Sequence, residues 1–426
     1  MNIDAAKYAN YIQILREELI PAVGCTEPAS LALAGAKLRQ ILGEVPEQIE
    51  VKMSGNLIKN TKSVTIPHSD GLKGIDAALW LGIFGGTVEQ GLAVLSTVTA
   101  EDIASTREKM AAPASCTVVL LEESPAQLHL IVEGTTKKHR GLVEILGTHT
   151  NFVRIEKDGE VLLEKAAGAT NEDFFTDRSL LSVQDILHFA ASVKIEDVEP
   201  ILRPQIEYNS AIAQAGLEGD YGANVGRVMT ENFGDSVANQ ARAQAAAASD
   251  ARMDGCQLPV VINSGSGNQG ITASLPVIVY ARHYEMSDEE LIRALCVSNL
   301  IAIHQKTGIG RLSAYCGAVS AACGSGAAIT YMLGGDYDEI SDTITNTLAN
   351  VSGILCDGAK PSCAAKIASS VDAAIMGMTM SFSARKFHDG EGIVKSNVEE
   401  TIEVVGKVAS EGMKETDVTV LKYMIE

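Results

Sequence analysis

"VINSGSGNQGI", residues 261–271, sets Gly265, Gly267 and Gly270 in the spacing G-x-G-x-x-G just after the short apolar run 258–262. How this stretch is read decides the fold. A dinucleotide-binding turn needs a strand before it, an amphipathic helix after it, and an acidic residue about 20 positions on that closes a second strand. Here Pro276 is expected to interrupt "ITASLPVIVYARHY" (271–284) one turn in. The next acidic cluster, Asp288–Glu290, opens the helical stretch "SDEELIRALCVSNLIAIH" (287–304) instead of closing a strand. The local physics survives without the nucleotide: successive Gly and Ser expose backbone N–H groups that can form an anion-binding concavity at a helix start. Ser264, Ser266, Asn268 and Gln269 add short polar side chains to it.

Working outward, periodicity is helical almost throughout from about residue 175, as in "SVQDILHFAASV" (182–193), "YDEISDTITNTLANVSGIL" (337–355) and "NVEETIEVVGKVASEGMKE" (397–415). Residues 46–172 differ in texture. Short β-branched runs such as "QIEVKMSG" (48–55), "SCTVVLLEE" (115–123), "QLHLIVEGT" (127–135) and "EVLLEKA" (160–166) are interrupted by the helical "GIDAALWLGIFGG" (74–86) and "AEDIASTREKMAA" (100–112). The first 45 residues read as two helices, roughly 4–19 and 28–42, broken by "PAVGCTEP". The expected fold class is α+β: a mostly helical C-terminal catalytic domain (173–426), joined by an N-terminal helical pair (1–45) that packs on it, with an inserted smaller α+β module (46–172). No low-complexity linker separates these parts, so they are expected to pack closely.

The chain has 426 residues, long enough for two cores, and 46% of them are hydrophobic. Its 34 basic and 54 acidic residues give a formal charge of −20, which repels phosphate backbones and anionic lipid. Nucleic acid and membrane are therefore excluded as partners. An anionic small molecule must be bound by local N–H groups or cations. The N-terminal stretch is an amphipathic helix with no leader pattern, and the long uncharged runs 257–281 and 312–335 are filled with Gly, Ser, Asn and Thr, so the expected compartment is the cytoplasm.

Eight cysteines in a reducing compartment argue against a disulfide framework. Cys316 and Cys323 lie seven apart, as do Cys356 and Cys363, and seven residues are about two helical turns. Between the second pair, Gly358 and Pro361 break a helix and leave a ligand-like loop. No C-x2–4-C pair favours zinc; thiolates spread over a helical domain suit an iron–sulfur cluster better, with core packing as the alternative. Cys25 sits in a tight loop at a helix start, where thiols are expected to acidify. Cys116, Cys256 and Cys296 have apolar neighbours and read as core.

The blocks "PAVGCTEPASLALA" (21–34), "SGNLIKN" (54–60), "INSGSGNQGITASLPV" (262–277), "IGRLSAYCGAVSAACGSGAA" (309–328) and "CDGAKPSCAAKIASS" (356–370) resemble, in order, those of the iron–sulfur L-cysteine desulfidases, relatives of the bacterial L-serine dehydratase α chain. The resemblance runs from about residue 5 to the C-terminus. It implies a [4Fe-4S] cluster held by Cys323, Cys356 and Cys363 with one iron open to substrate, and Cys25 as base or as occasional ligand of that iron. Cys316, on one helical face with Cys323, becomes a neighbour of the cluster. The implied reaction eliminates hydrogen sulfide from L-cysteine to give pyruvate and ammonia. The six residues between Cys356 and Cys363 are fewer than in serine dehydratases, which favours the desulfidase branch. L-serine, another β-substituted amino acid, and a cluster-free binding protein on the same scaffold stay open as alternatives.

On that reading the glycine loop receives a substrate carboxylate through Ser264, Gly265, Ser266, Gly267, Asn268 and Gln269. A second "SGN" in the other module offers Ser54, Gly55, Asn56, Lys59 and Asn60 on the opposite wall, with Cys25 between the two. Lys306 reads as an exposed helix-end lysine or one in a structural ion pair, a pyridoxal Schiff base being set aside because no phosphate cup adjoins it; Arg311 reads as a second carboxylate-binding group or a helix cap, and His68 and His304 as ordinary histidines, His68 being the nearer to a site. The expected partner is a small amino acid, and homodimerisation is left open.

Overall fold

A computed structural model describes residues 4–112, 115–165 and 176–425. The chain is built on two main hydrophobic cores, one mostly helical and one of helices on a sheet, and the architecture is α+β. The expected boundary between module and helical part, at 172/173, lies outside the described residues.

The sheet has six strands: β2 (Gln48–Ser54), β3 (Cys116–Leu121), β4 (His129–Thr135), β5 (Arg140–Leu146), β6 (Phe152–Lys157) and β7 (Glu160–Glu164). Their order is β3-β2-β4-β5-β6-β7; β3 runs parallel to β2 and every other pair is antiparallel. Alternation along β5 turns Gly141, Val143 and Ile145 inward and leaves their neighbours part-exposed. That inner face is covered by α2 (Thr26–Leu42), with Leu31, Leu38 and Leu42 in this core, and α4 (Gly74–Gly85) packs on α2 and adds Trp80 to it. The N-terminal pair thus divides between the cores. α1 (Ala5–Glu18) sends Tyr11, Ile14 and Leu15 into the helical core, whereas α2 belongs to the sheet. The α1 residues reach a helical partner directly, but α2 is wider on its apolar side and finds the flat inner face of the sheet.

The helical core is built from α7 (Ile195–Glu218), α9 (Val237–Met253), α10 (Gly267–His283), α11 (Asp288–Ile309), α12 (Gly317–Met332), α13 (Tyr337–Val351), α14 (Cys363–Phe382) and α15 (Val398–Lys407), with α6 (Val183–Ser192) and α8 (Val225–Asn232) at its margin. The abundance of Ala and Gly acts here. A side chain at Gly324 of α12 would begin 2.3 Å from the Ser298 carbonyl of α11, so only glycine lets these two helices approach so closely.

The strand before the glycine loop, β8 (Pro259–Val261), is three residues long and pairs antiparallel with β1 (Pro21–Val23). No βαβ unit forms around it, in keeping with the sequence. One detail differs: α10 runs unbroken through Pro276, so the expected interruption is absent. Residue 276 is wholly enclosed in the core, where packing offsets the missing N–H. Among the described residues no helix is long and apolar enough to cross a membrane. At the C-terminus α16 (Lys414–Ile425) returns to pack on the short α3 (Gly55–Thr61).

Candidate active site

Between the two cores lies a cavity of about 100 Å³. That is small beside the ~300–1,000 Å³ of sites for drug-sized ligands, and it suits a three-carbon amino acid. Helix N-termini converge on it. Cys25 is the N-cap of α2, Ser266 of α10 and Cys316 of α12, while Cys363 is the first residue of α14; all four line the cavity. None of these helices carries a side-chain cap. By contrast α6, α9, α11, α13 and α15 are closed by Ser182, Ser236, Ser287, Asp336 and Asn397. Uncapped N-termini present backbone N–H groups and the positive ends of helix dipoles, so the cavity favours anions inside an acidic protein.

The glycine loop is bent for this role. Asn263 and Ser266 exchange both backbone hydrogen bonds, at 3.1 and 3.0 Å, and Ser264 and Gly265 take left-handed backbone at φ 49° and 81°. For a serine that conformation is uncommon and strained. The tight loop leaves Arg252 and Arg311 beside it. Arg252 donates to the Gly24 carbonyl at 3.1 Å and to Asn268 Oδ1 at 3.0 Å. Arg311 is steered by the buried Glu18, whose oxygens accept its Nη1 at 2.9 and 3.1 Å. Beyond Ser264, Lys306 and Arg311 a larger chamber of about 630 Å³ adjoins the cavity.

Of the residues expected from sequence, Cys25, Asn60, Ser264, Gly265, Ser266, Asn268, Gln269, Cys356 and Cys363 line the cavity. Gly267 sits behind the wall, where its missing side chain makes room for the Arg252 guanidinium. The rest of "SGNLIKN" is elsewhere. Ser54 Oγ donates to the Gln127 carbonyl at 2.7 Å, Gly55 is covered by Leu421, Asn56 does not reach the wall, and Lys59 pairs with Asp417 of α16 at 2.5 Å. His68 is also off the wall.

Cys323 is a correction. It lies in the middle of α12, fully buried against Gln305 and Thr347, and is not on the cavity wall. Cys316 is there instead, beside Cys356 and Cys363. Burial first, and then the charges of Cys356 and Cys363, raise the Cys316 thiol; burial first, and then Cys356 among others, raises that of Cys363. Cys356 and Cys363 thus bear on Cys316, and Cys356 on Cys363, whereas no cysteine acts on Cys323. The Lys360 N–H donates to Cys363 Sγ at 3.4 Å and the Ala318 N–H points at Cys316, contacts that oppose the effect of burial without outweighing it. Among the described residues no three His, Cys, Asp or Glu side chains are grouped tightly enough for a single metal ion. Cys316, Cys356 and Cys363 are nonetheless thiol donors on one cavity wall, the donor type an iron–sulfur cluster takes.

Cys25 also differs from expectation: burial pushes its thiol up to about 12, with Arg252 opposing, so the helix start does not acidify it. Lys306 is buried, not exposed. Burial lowers its ammonium to about 8, and among the described residues no carboxylate pairs with it. Three wall residues had little or no signal in the sequence: Glu27, His149 and Arg252. Burial opposes ionisation of Glu27, but the nearby His149, its own N–H and the Asn60 amide outweigh burial and hold it at about 2. Glu27 stood inside the "GCTEP" block without a partner to flag it, whereas His149, from the loop between β5 and β6, meets the site only through tertiary folding.

A model of the serine dehydratase alpha chain matches residues 89–422. The chain belongs to the serine dehydratase alpha chain family. Relatives named "UPF0597 protein" are similar over the full length: one from Lachnoclostridium phytofermentans is 52% identical over 98% of this chain and 100% of its own, and one from Treponema denticola 49% identical over 100% of both. A third, from Aeromonas hydrophila, is 39% identical over 98% of this chain and 96% of its own. The dehydratase match begins after Cys25, Glu27 and Asn60, so part of this cavity wall comes from a segment shared with the full-length relatives.

Proposed function

We propose that this member of the serine dehydratase alpha chain family is a lyase that eliminates hydrogen sulfide from L-cysteine, giving pyruvate and ammonia. The observation that carries the reading is the meeting of Cys316, Cys356 and Cys363 with four uncapped helix starts on one amino-acid-sized cavity. The three cysteines would hold a [4Fe-4S] cluster, which when bound supplies a Lewis-acidic iron for the thiolate leaving group. The protein's own groups do the rest. The α10 start and Arg311 receive the carboxylate. Lys306 Nζ takes the α-proton, since an amine near 8 is partly free at neutral pH while a thiol near 12 is not. The narrow cavity excludes bulk water until 2-aminoacrylate leaves to tautomerise and hydrolyse.

Cys25 faces the same space with its thiol protonated, a second sulfur available when no substrate is bound. L-serine elimination is the alternative substrate reading, favoured by the family match itself. Anaerobic reconstitution with iron and sulfide, followed by assays on L-cysteine and L-serine, tests the proposal. Equal yields of sulfide and pyruvate from L-cysteine support it; pyruvate from L-serine alone would reassign the substrate, and no product from either would refute it.

A further inference from the structure

Two buried polar atoms of residues lining the cavity, Asn60 Oδ1 and Gln269 Oε1, have no hydrogen-bond partner, whereas His149 Nε2 is engaged by Glu27 at 3.8 Å. Leaving such atoms unpaired costs stability, so a wall that carries them is shaped for something that completes it. Asn60 is the more informative, because its orientation is fixed. Its Nδ2 donates to Glu27 Oε1 at 2.9 Å, and a carboxylate held ionised near 2 only accepts, so the amide oxygen must be the atom turned away from Glu27. Glu27 is itself anchored, its other oxygen accepting Thr26 Oγ1 at 3.0 Å. Asn60 Oδ1 lies against Gly358 in the Cys356–Cys363 loop, where an added Cβ would come within 3.0 Å of it. Gly358 has φ 92° and no side chain, so the loop leaves that oxygen uncovered by carbon.

The cavity therefore has two chemical sides. N–H groups and arginines gather at the α10 start; an unpaired carbonyl oxygen backed by a carboxylate stands on the module side. A free α-amino acid has the complementary pair, a carboxylate that only accepts and an ammonium that only donates. We infer that Asn60 Oδ1, oriented by Glu27, receives the α-ammonium group of the substrate, so that the site takes free α-amino acids and rejects their 2-hydroxy and N-acyl analogues. This role rests on the cavity being the amino-acid site, and is independent of the fate of the β-substituent.

The test is binding of ligands that cannot eliminate. L-2-aminobutyrate has the shape of L-cysteine without a leaving group; (S)-2-hydroxybutyrate replaces only its ammonium by hydroxyl, and N-acetyl-L-2-aminobutyrate masks it. Calorimetric titration of the anaerobic protein is expected to show the amino acid bound about tenfold or more tightly than either analogue, the scale of one hydrogen bond to a charged group. In Asn60→Leu, checked for folding by its thermal transition, the amino acid should lose most of that advantage while the hydroxy acid is little changed. Equal binding of all three by the wild type, no binding of any, or equal weakening of both acids in the variant would overturn the inference. The wild-type comparison stands even if the variant fails to fold. Discrimination retained by a protein that never degrades L-cysteine would defeat the proposed reaction and leave this subsite standing.

Discussion

Cys316 and Cys323 belong to the same helix seven residues apart, yet one faces the cavity and the other is sealed in the core. The difference lies at the helix start. Cys316 is the N-cap of α12, with extended backbone at φ −69° and ψ 119°, so the rule that residues seven apart share a helical face does not reach it. Cys323 is two turns inside and follows the helix into its packing against α11. Helix starts also differ between cavity and scaffold in their capping. Five helices that start away from the cavity, α6, α9, α11, α13 and α15, are closed by Ser, Asp or Asn, and two others, α7 and α8, start uncapped; every helix that starts on the cavity is uncapped, with cysteine or serine in that place.

The comparison is broken most severely at the loop cysteines. Replacing Cys356 or Cys363 by Ser should remove bound iron and all detectable elimination, read by iron analysis and sulfide release; either variant still brown and active would undo the ligand assignment. Next comes the proton. Lys306→Met should keep its iron and lose about 10²–10⁴-fold in kcat, the range for a general base, and the wild-type rate should climb as pH rises through about 8, because the free amine is the active form. Cys25→Ser is expected to lose less than Lys306→Met. A larger loss at Cys25, with the pH profile unchanged in Lys306→Met, would return the base role to the thiol.

Glu27 gives a smaller and different signal. Its carboxyl is held near 2 against an ordinary 4.5, so the stability it contributes is present above about 4.5 and is lost as pH falls toward 2. Glu27→Gln should abolish that slope and lower neutral-pH stability by up to about 3 kcal/mol, measured by denaturant unfolding across that window. Identical acid unfolding of the two proteins would show that the Glu27–Asn60–His149 cluster does not hold a charge.

The sheet strands and long helices were legible because alternation and helical periodicity are local properties. Pro276 misled because a proline penalty is also local, while the packing that offsets it is not. At the site, the cysteine loop and Ser264–Gln269 could be read from spacing and glycine content. Lys306 could not: whether a helix-end lysine is exposed or buried depends on which elements close over it, here the cysteine loop and the Arg311 turn. His149 and Arg252 join the wall from distant parts of the chain, and nothing in their neighbours marks them. Lys59 shows the converse, a charged residue in a promising block whose partner, Asp417, lies at the far end of the sequence.

The central claim is that the N-cap of α12, and not its second turn, supplies the third thiolate. Iron and sulfide content of anaerobically reconstituted Cys316→Ser and Cys323→Ser, measured side by side with their visible spectra, tests it directly. The account predicts a colourless Cys316→Ser and a brown, active Cys323→Ser that is destabilised by about 1–3 kcal/mol through its buried hydroxyl. A brown Cys316→Ser beside a colourless but folded Cys323→Ser would contradict it.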